Sequence, residues 1–215
     1  MQQKPLDGIK ILELSSIVTA SLATMILCDQ GAEVIKVEPT GIGDSMRYLG
    51  TQKGGFSAIF ANCNRGKKSI NLNLKDQKEV QQLLKLVKEA DVFITNMPGK
   101  PREKLGLTEQ IIRKINPKII YASLTGYGEN GPDSTRTALD STAYYARSGL
   151  MEWSKTDKPD DFPPFPIPGG GDHPTGLSLF TSVLLALMNR KKTGLGTSVT
   201  TSRLANGIWS NAMLI

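Results

Sequence analysis

The stretch GIKILELSSIVTASLATMILCDQGAEVIKVE, residues 8–38, decides the fold. Residues 9–14 and 33–38 are short runs rich in isoleucine, leucine and valine, which predicts two strands. Residues 19–30 between them have the pattern of a helix. A strand, a helix and a second strand at this spacing indicate two parallel strands joined by a crossover helix, as in an α/β fold.

The same alternation continues along the chain. Further strands are predicted at residues 68–71, 91–95, 118–124 and 197–201, and further helices at residues 77–89, 108–115, 172–190 and 202–215. A glycine-rich loop from residue 126, the segment 139–149 and a proline-rich connection over residues 158–168 lie where substrate loops are expected. This order favours a doubly wound, Rossmann-like parallel sheet with helices on both faces.

The charge of the chain narrows the class of partner. Its 215 residues carry 26 Lys and Arg against 20 Asp and Glu, and the net charge of +6 suits an anionic partner. The basic residues are scattered, without the aromatic-interleaved stripe that binders of single-stranded nucleic acid use. The pattern therefore disfavours nucleic acid and favours a phosphate-bearing small molecule.

Cysteine use and hydropathy indicate the compartment. Cys28 and Cys63 lie in apolar surroundings and form no disulfide framework, which indicates a reducing cytoplasm. The N-terminus has no apolar signal segment, and no apolar run approaches the roughly 20 residues that a membrane-spanning helix needs. We therefore expect a cytoplasmic protein that is not embedded in a membrane.

The common cofactor and nucleophile motifs are missing. Residues 15–21, after the first strand, read SSIVTAS in place of G-x-G-x-x-G, which disfavours NAD even though Glu38 closes the second strand. His173 is the only histidine, and the nucleophile motif G-x-S-x-G is absent. No group of Cys, His or carboxylate residues has metal-ligand spacing, so no metal site is predicted.

Asp172 follows three glycines, residues 169–171, and opens an apolar helix. Taken by itself, this pattern favours an N-cap, because Asp is a preferred N-cap residue and its charge suits the helix dipole. The alternative interpretation is a carboxylate nucleophile, placed at a helix N-terminus beside space that only glycine leaves. The same pattern favours His173 as an ordinary residue of the first helical turn over a general base.

A series of short segments follows in a specific order: PLDGIKILEL (5–14), GAEVIKVE (31–38), GD (43–44), NRGKKSI (64–70), ADV (90–92), LGL (105–107), GYG (126–128), GP (131–132) and RKKTGLG (190–196). Together they resemble the class III CoA-transferase family, which includes formyl-CoA transferase, carnitine CoA-transferase and, as a chemical outlier, α-methylacyl-CoA racemase. The resemblance implies the N-terminal half of such a protein. Residues 1–215 would be the N-terminal part of its large domain, with a linker to a small domain starting near residues 202–215, and the intact protein would be an interlocked homodimer.

The resemblance also implies an activity and its residues. Asp172 would attack an acyl-CoA thioester, and CoA would pass to a small carboxylic acid through aspartyl anhydride and thioester intermediates. CoA or acyl-CoA would be a co-substrate, with no permanently bound cofactor. The family's CoA contacts fall on these residues: Val18, Thr19, Leu72, Asn73, Leu74, Lys75, Asn96, Met97, Pro98, Lys104, Thr137, Ala138, Leu139 and Asp140.

Two other functions remain as alternatives. The racemase branch places a histidine just before an Asp-x-x-x stretch as its second base, whereas Leu139 precedes Asp140 here, so the transferase is preferred over a 2-methylacyl-CoA racemase or epimerase. The third function is a catalytically incomplete CoA-binding fragment. It is suggested by the last predicted helix, which reaches residue 215 on AMLI without a capping residue, as if the chain were cut short.

Overall fold

The computed structural model describes residues 3–156, 158 and 161–213. The strands within these residues are β1 Lys10–Leu14, β2 Glu33–Glu38, β3 Gln52–Lys53, β4 Phe56–Ser57, β5 Lys68–Asn71, β6 Val92–Thr95, β7 Ile120–Thr125 and β8 Ser198–Ser202. The α-helices are α1 Thr19–Asp29, α2 Ala58–Asn64, α3 Gln77–Glu89, α4 Gly99–Leu105, α5 Glu109–Ile115, α6 Asp172–Thr193 and α7 Arg203–Ser210. Short 3-10 helices span Ser45–Tyr48 and Glu152–Ser154, and a π-helical segment spans Asp140–Ala146.

Six of the strands form one parallel sheet in the order β5-β2-β1-β6-β7-β8, and β3 pairs with β4 in a separate hairpin. The chain starts in the middle of the sheet with β1, moves outward to β5, and then returns to β6 and continues to β8. The predicted doubly wound α/β fold is therefore confirmed. The strand order reverses between β1 and β6, and sheets of this kind bind ligands in the crevice at the carboxyl ends of the strands on either side of that reversal.

Alternate residues of the strands enter two cores on opposite faces of the sheet. Ile11, Val34 and Ile94 pack with residues of α1 and α6 on one face. Leu12 and Phe93 pack with residues of α3 and α5 on the other. Because each fully buried side chain of this kind contributes about 1.5–3 kcal/mol, the helices on both faces are held by the sheet itself.

Most predicted elements are present, with small shifts in their bounds. The predictions for β2, β5 and α3 coincide with the structure, and α6 extends three residues beyond the predicted residue 190 to Thr193. It ends at Gly194, whose φ of 73° is a left-handed conformation that glycine adopts readily. The helix predicted at residues 202–215 is shorter, since α7 ends at Ser210.

Two of these predictions extend over residues that the structure does not describe. Residues 214 and 215, at the end of the last predicted helix, lie outside the described residues, as do residues 159 and 160 of the proline-rich connection. The helices α2 and α4 were not predicted. Every helix in the described parts of the chain is too short or too polar to span a bilayer.

Candidate active site

Asp172 is the first residue of α6, and its carboxylate is buried, with 6% of the residue exposed. The N-cap position is occupied by Gly171, and no side chain caps the helix. The N-cap interpretation of Asp172 is therefore wrong. A buried carboxylate needs hydrogen-bond or charge partners, because the removal of an ion from water is expensive, and the partners of Asp172 come from two other helices.

These partners are Thr19 and Arg203, the first residues of α1 and α7. Arg203 Nε donates to Asp172 Oδ1 at 2.8 Å, and the Thr19 hydroxyl donates to the same oxygen. Arg203 Nη2 in turn donates to Thr19 Oγ1 at 2.7 Å. Asp172 Oδ2 accepts no hydrogen bond from the described residues, so one carboxylate oxygen is held in place while the other keeps its lone pairs free.

The glycines before Asp172 are needed for close packing. A Cβ on Gly171 would lie 2.5 Å from Cγ of Tyr144, and a Cβ on Gly170 would collide with the hydroxyl of Tyr145. The expectation that these glycines leave open space is therefore wrong at these two positions, where aromatic rings fill the space. Glycine is required because only a residue without a side chain allows the backbone to approach these rings.

The loop before Asp172 is fixed by hydrogen bonds of its own. Gly169 N donates to Asp140 Oδ2 at 2.7 Å, and the Nδ1 atom of the exposed His173 lies 2.7 Å from the Gly169 carbonyl oxygen, to which it donates. The backbone N–H groups of Gly170 and His173 also have acceptors within the loop. Those of Gly171 and Asp172 have no acceptor among the described residues.

A cleft of about 710 Å³ lies at the carboxyl ends of β1, β2, β5 and β6, where the strand order reverses. Its walls are Leu14, Ser15, Ser16, Val37, Glu38, Pro39, Thr40, Leu72, Asn73, Leu74, Lys75, Asn96, Met97, Pro98 and Leu105. The cleft brings together two of the segments predicted to contact CoA, residues 72–75 and 96–98. Such a cleft combines apolar walls with a few amide and charged groups, as small-molecule sites usually do.

The other residues predicted to contact CoA lie outside these walls. Thr19 is fully buried against Asp172, and Val18 is half-buried beside it. Lys104 is exposed on α4, one residue before Leu105 of the cleft. Residues 137–140 lie near Arg203, and Arg203 Nη1 is 3.4 Å from the Ala138 carbonyl oxygen. Within this stretch Thr137 and Leu139 are exposed, and Asp140 contacts the glycine loop.

The turn between β1 and α1 connects the cleft to Asp172, because Ser16 lines the cleft and Thr19 contacts the carboxylate. Ile17 in this turn has a φ of 64°, which is a strained conformation for a β-branched residue and costs about 1–3 kcal/mol. Asn96 holds the turn through both backbone groups of Ser16, and Asp44 accepts from Ile17 N at 3.2 Å. Asn96 therefore uses its amide to shape the turn.

Four charged side chains are buried beneath this turn. Lys36 Nζ lies 2.7 Å from Glu13 Oε1 and 3.0 Å from Asp44 Oδ2, the latter as an ion pair without hydrogen-bond geometry. Lys67 Nζ lies 2.8 Å from Glu13 Oε2. Lys36 also donates to the Ser15 carbonyl oxygen at 3.1 Å, so this network supports the turn from below.

The pKa values of the network follow from burial and charge. Burial alone would raise the pKa of Glu13, but the charges and hydrogen bonds of Lys67 and Lys36 outweigh it and hold this pKa far below its usual value of 4.5. Burial lowers the pKa of Lys67, which faces only one carboxylate. The pKa of Lys36 is raised despite burial, because Lys36 faces both Glu13 and Asp44.

Glu38, at the end of β2, forms a second buried carboxylate site. It accepts two hydrogen bonds from Arg47 at 2.6 and 2.8 Å, one from Ser69 at 2.6 Å and one from Asp44 N at 2.7 Å. Burial alone would raise its pKa, but these hydrogen bonds and the Arg47 charge lower it from 4.5 to about 2. Because its oxygens are occupied, Glu38 is not available to bind a ribose in the manner of a dinucleotide fold.

We expect the free energy of unfolding to fall as the pH drops from about 4.5 towards about 2. A carboxylate whose pKa is lower in the folded state stabilises the protein above its unfolded pKa, and this contribution disappears as the pH falls through the folded pKa. Urea unfolding from pH 7 to pH 2.5 should show a shallower decline for Glu38→Gln than for the wild type. Glu89→Gln, at a side chain that is 76% exposed, is the control. Parallel curves for wild type and Glu38→Gln would contradict this prediction.

The sequence analysis did not predict a role for Arg203 or for the buried charges of Glu13, Lys36, Asp44 and Lys67. Arg203 lies 31 residues from Asp172 in the chain, within an unremarkable polar segment. One signal was present: Arg203 is a cation in the first turn of a helix, where the helix dipole disfavours positive charge. Glu13 and Lys36 gave another signal, because each interrupts an apolar strand and the two are paired in the β1–β2 register.

Comparison with known proteins gives one consistent family. A sequence profile described as CoA-transferase family III matches residues 6–214. The chain is 38% identical to (R)-2-hydroxy-4-methylpentanoate CoA-transferase of Clostridioides difficile, over 98% of this chain and 53% of that protein. It is 41% identical to human succinyl-CoA:glutarate CoA-transferase, over 95% of this chain and 46% of that protein.

The structural comparison agrees with the sequence comparison. The crystal structure of Rv3272 from M. tuberculosis matches with a TM-score of 0.91 and 34% identity, over 98% of this chain and 58% of that chain. The chain thus spans about half the length of the curated relatives that it matches.

Proposed function

Because the chain belongs to CoA-transferase family III, we propose that the intact protein transfers CoA from an acyl-CoA to a small free carboxylic acid, with Asp172 as the nucleophile. One observation carries this proposal. Asp172 is a buried carboxylate with Oδ1 held by Thr19 and Arg203 and with Oδ2 free. This arrangement fixes a nucleophile in one orientation and leaves a lone pair for attack.

The proposed reaction conserves the energy of the thioester. Asp172 Oδ2 attacks the acyl carbonyl carbon of the thioester, and the C–S bond breaks. A mixed anhydride between the acyl group and Asp172 forms, and CoA leaves as a thiolate. The thiolate attacks Asp172 Cγ, which releases the donor acid as a carboxylate and leaves CoA on Asp172 as a thioester. The acceptor carboxylate then attacks Cγ, and the same steps in reverse give the new acyl-CoA and free Asp172. Each intermediate remains activated, so no thioester energy is lost to water.

The cleft beside the β1–α1 turn is the proposed site for the CoA moiety. Ser16 lines the cleft and Thr19 contacts Asp172, and three residues of chain extend over at most about 10 Å. A CoA molecule in the cleft would therefore have its thiol end within reach of the carboxylate. The N–H groups of Gly171 and Asp172, which have no acceptor among the described residues, are proposed to stabilise the oxyanion that forms at the attacked carbonyl.

Trapping of the covalent intermediate tests the proposal. The intact protein is incubated with acyl-CoA and hydroxylamine without an acceptor acid, and its peptides are analysed by mass spectrometry. We expect a hydroxamate on Asp172, because hydroxylamine captures activated carboxyl groups. Incorporation of α-deuterium into a 2-methylacyl-CoA in deuterated water, with Asp172 unmodified, would instead support the racemase and overturn the transferase.

Replacement of Lys75 tests the CoA site. Lys75 is an exposed cation on the cleft wall, and its loss should raise KM for acyl-CoA roughly fivefold without change in kcat, because it removes binding that is equal in ground and transition states. Steady-state kinetics of Lys75→Gln measure this effect. Lys78→Gln, an exposed lysine of α3 outside the cleft, is the matched control. An unchanged KM in Lys75→Gln would place CoA elsewhere.

Further parts of the proposal concern the whole protein. We propose that residues 1–215 are the N-terminal part of its large domain and that the protein acts in the cytoplasm as an interlocked homodimer. The family membership supports this organisation, and so do the exposed apolar side chains of Leu185, Met188 and Trp209 on α6 and α7, which suit coverage by another protein surface. Light scattering of the intact protein tests the oligomeric state, and a monomer would contradict it.

A further inference from the structure

Arg203 is a buried cation in an unfavourable position. Only 8% of the residue is exposed, and it is the first residue of α7, where the helix dipole disfavours positive charge. Burial of a guanidinium group without a counter-ion is also costly. Among the described residues, Asp172 is its ion-pair partner, at 2.8 Å. A cation whose burial is unfavourable therefore lies directly beside the proposed nucleophile.

The proposed reaction would remove this counter-ion. When Asp172 becomes acylated it loses its negative charge, and the charge then resides on the CoA thiolate or on a free carboxylate. One negative charge thus moves among three groups, whereas the charge of Arg203 stays fixed. In every covalent intermediate, Arg203 would be a buried unpaired cation unless a substrate anion took the place of Asp172.

Resting on the proposed function, we propose that Arg203 binds the acceptor carboxylate while Asp172 carries CoA. The guanidinium group has five N–H donors, and three of them reach Asp172, Thr19 and the Ala138 carbonyl oxygen. The other two have no acceptor among the described residues. A planar fork with free donors matches a carboxylate in geometry and charge.

This position would also orient the acceptor for attack. Arg203 Nε lies 2.8 Å from Asp172 Oδ1, so a carboxylate bound to the free Nη donors of the same guanidinium group would be held beside Asp172, whose Cγ it must attack. The substrate class that Arg203 selects is an acid with an ionised carboxylate. A neutral nucleophile that captures the same intermediate would not need Arg203 for its own binding.

Ping-pong kinetics of Arg203→Gln in the intact protein test this inference against a purely positional role. We expect kcat/KM for the acceptor acid to fall roughly 10- to 100-fold, the effect of a lost charge-assisted hydrogen bond. Hydroxylamine capture of the Asp172 intermediate should fall by a much smaller factor, because hydroxylamine is neutral and its capture loses only the hold of Arg203 on Asp172 Oδ1. Arg190→Gln is the control, since Arg190 pairs with Asp91 at the far end of α6 and should leave both rates unchanged.

The outcomes separate the two proposals. Equal losses in acceptor use and hydroxylamine capture would overturn the inference, because Arg203 would then act only by positioning Asp172. Absence of hydroxylamine capture in the wild type would overturn the proposed function itself. If Arg203→Gln does not fold, Arg203→Lys retains the charge without the planar fork. It should weaken acceptor use more than hydroxylamine capture, and equal effects would again contradict acceptor binding.

Discussion

Replacement of Asp172 by alanine should lower the rate of CoA transfer roughly a thousandfold or more, because the variant has no group that can form the anhydride. Asp172→Asn should have a similar effect, since an amide of nearly the same size is not a nucleophile of this kind. Both variants leave Arg203 without its counter-ion, so their folding must be checked by circular dichroism and thermal unfolding. The measurement is the steady-state rate of acyl-CoA formation.

The chain offers a matched control for this experiment. Asp91 and Arg190 form an ion pair of 2.9 Å at the opposite end of α6 and at the amino end of β6. Asp91→Asn removes a carboxylate from a similar pair without touching the cleft or the glycine loop, so its rate should remain near that of the wild type. A folded Asp172→Ala variant with a rate within tenfold of wild type would rule out Asp172 as the nucleophile.

Replacement of Glu13 by glutamine should lower the free energy of unfolding by about 3–5 kcal/mol. Glu13 is fully buried and pairs with both Lys36 and Lys67, so its loss leaves two buried cations with Asp44 as their remaining carboxylate. Loss of one partner from a buried ion pair costs more than the pair contributes, because the other charge remains out of water. Urea unfolding at pH 7 measures the effect.

Two further variants make the Glu13 prediction specific. Glu33→Gln breaks a surface pair with Lys68 on the neighbouring strands and should change stability by about 0–1 kcal/mol. The double variant Glu13→Gln with Lys67→Gln should lose less stability than the sum of the two single losses, since both members of one pair are removed together. A Glu13→Gln variant within about 1 kcal/mol of wild type would contradict the role of this network.

The central strands of the sheet could be predicted from the sequence because they are buried on both faces. β2 and β6 are short runs rich in apolar and β-branched residues, and the parallel order follows from the helices between the strands. α2 and α4 could not be predicted in the same way. Each has only seven residues, and α4 contains Gly99 and Pro101, which usually indicate a loop. Proline is tolerated there because the first turn of a helix needs no N–H at that position.

The candidate site was predictable only in part. Asp172 could be singled out by its place after three glycines and by the ordered resemblance to a family. Its partners could not, because Thr19 and Arg203 reach it through tertiary contacts over 153 and 31 residues of sequence. The residues expected to contact CoA divide into a group that lines the cleft and a group near Arg203, and the β1–α1 turn lies between them. This division depends on the order of the strands in the sheet, which cannot be predicted from short sequence motifs.

Transfer of oxygen from the acceptor to the protein tests the central claim most directly. The intact protein is allowed to turn over with an acyl-CoA and an acceptor acid whose two carboxylate oxygens are ¹⁸O. In the proposed reaction an acceptor oxygen attacks Asp172 Cγ and becomes the bridging oxygen of the anhydride. The CoA thiolate then attacks the acyl carbon, so the bridging oxygen stays on Asp172. The Asp172 peptide should therefore gain about 2 Da. If transfer proceeds while this peptide keeps its mass and the label appears only in the small acids, Asp172 is not the covalent nucleophile.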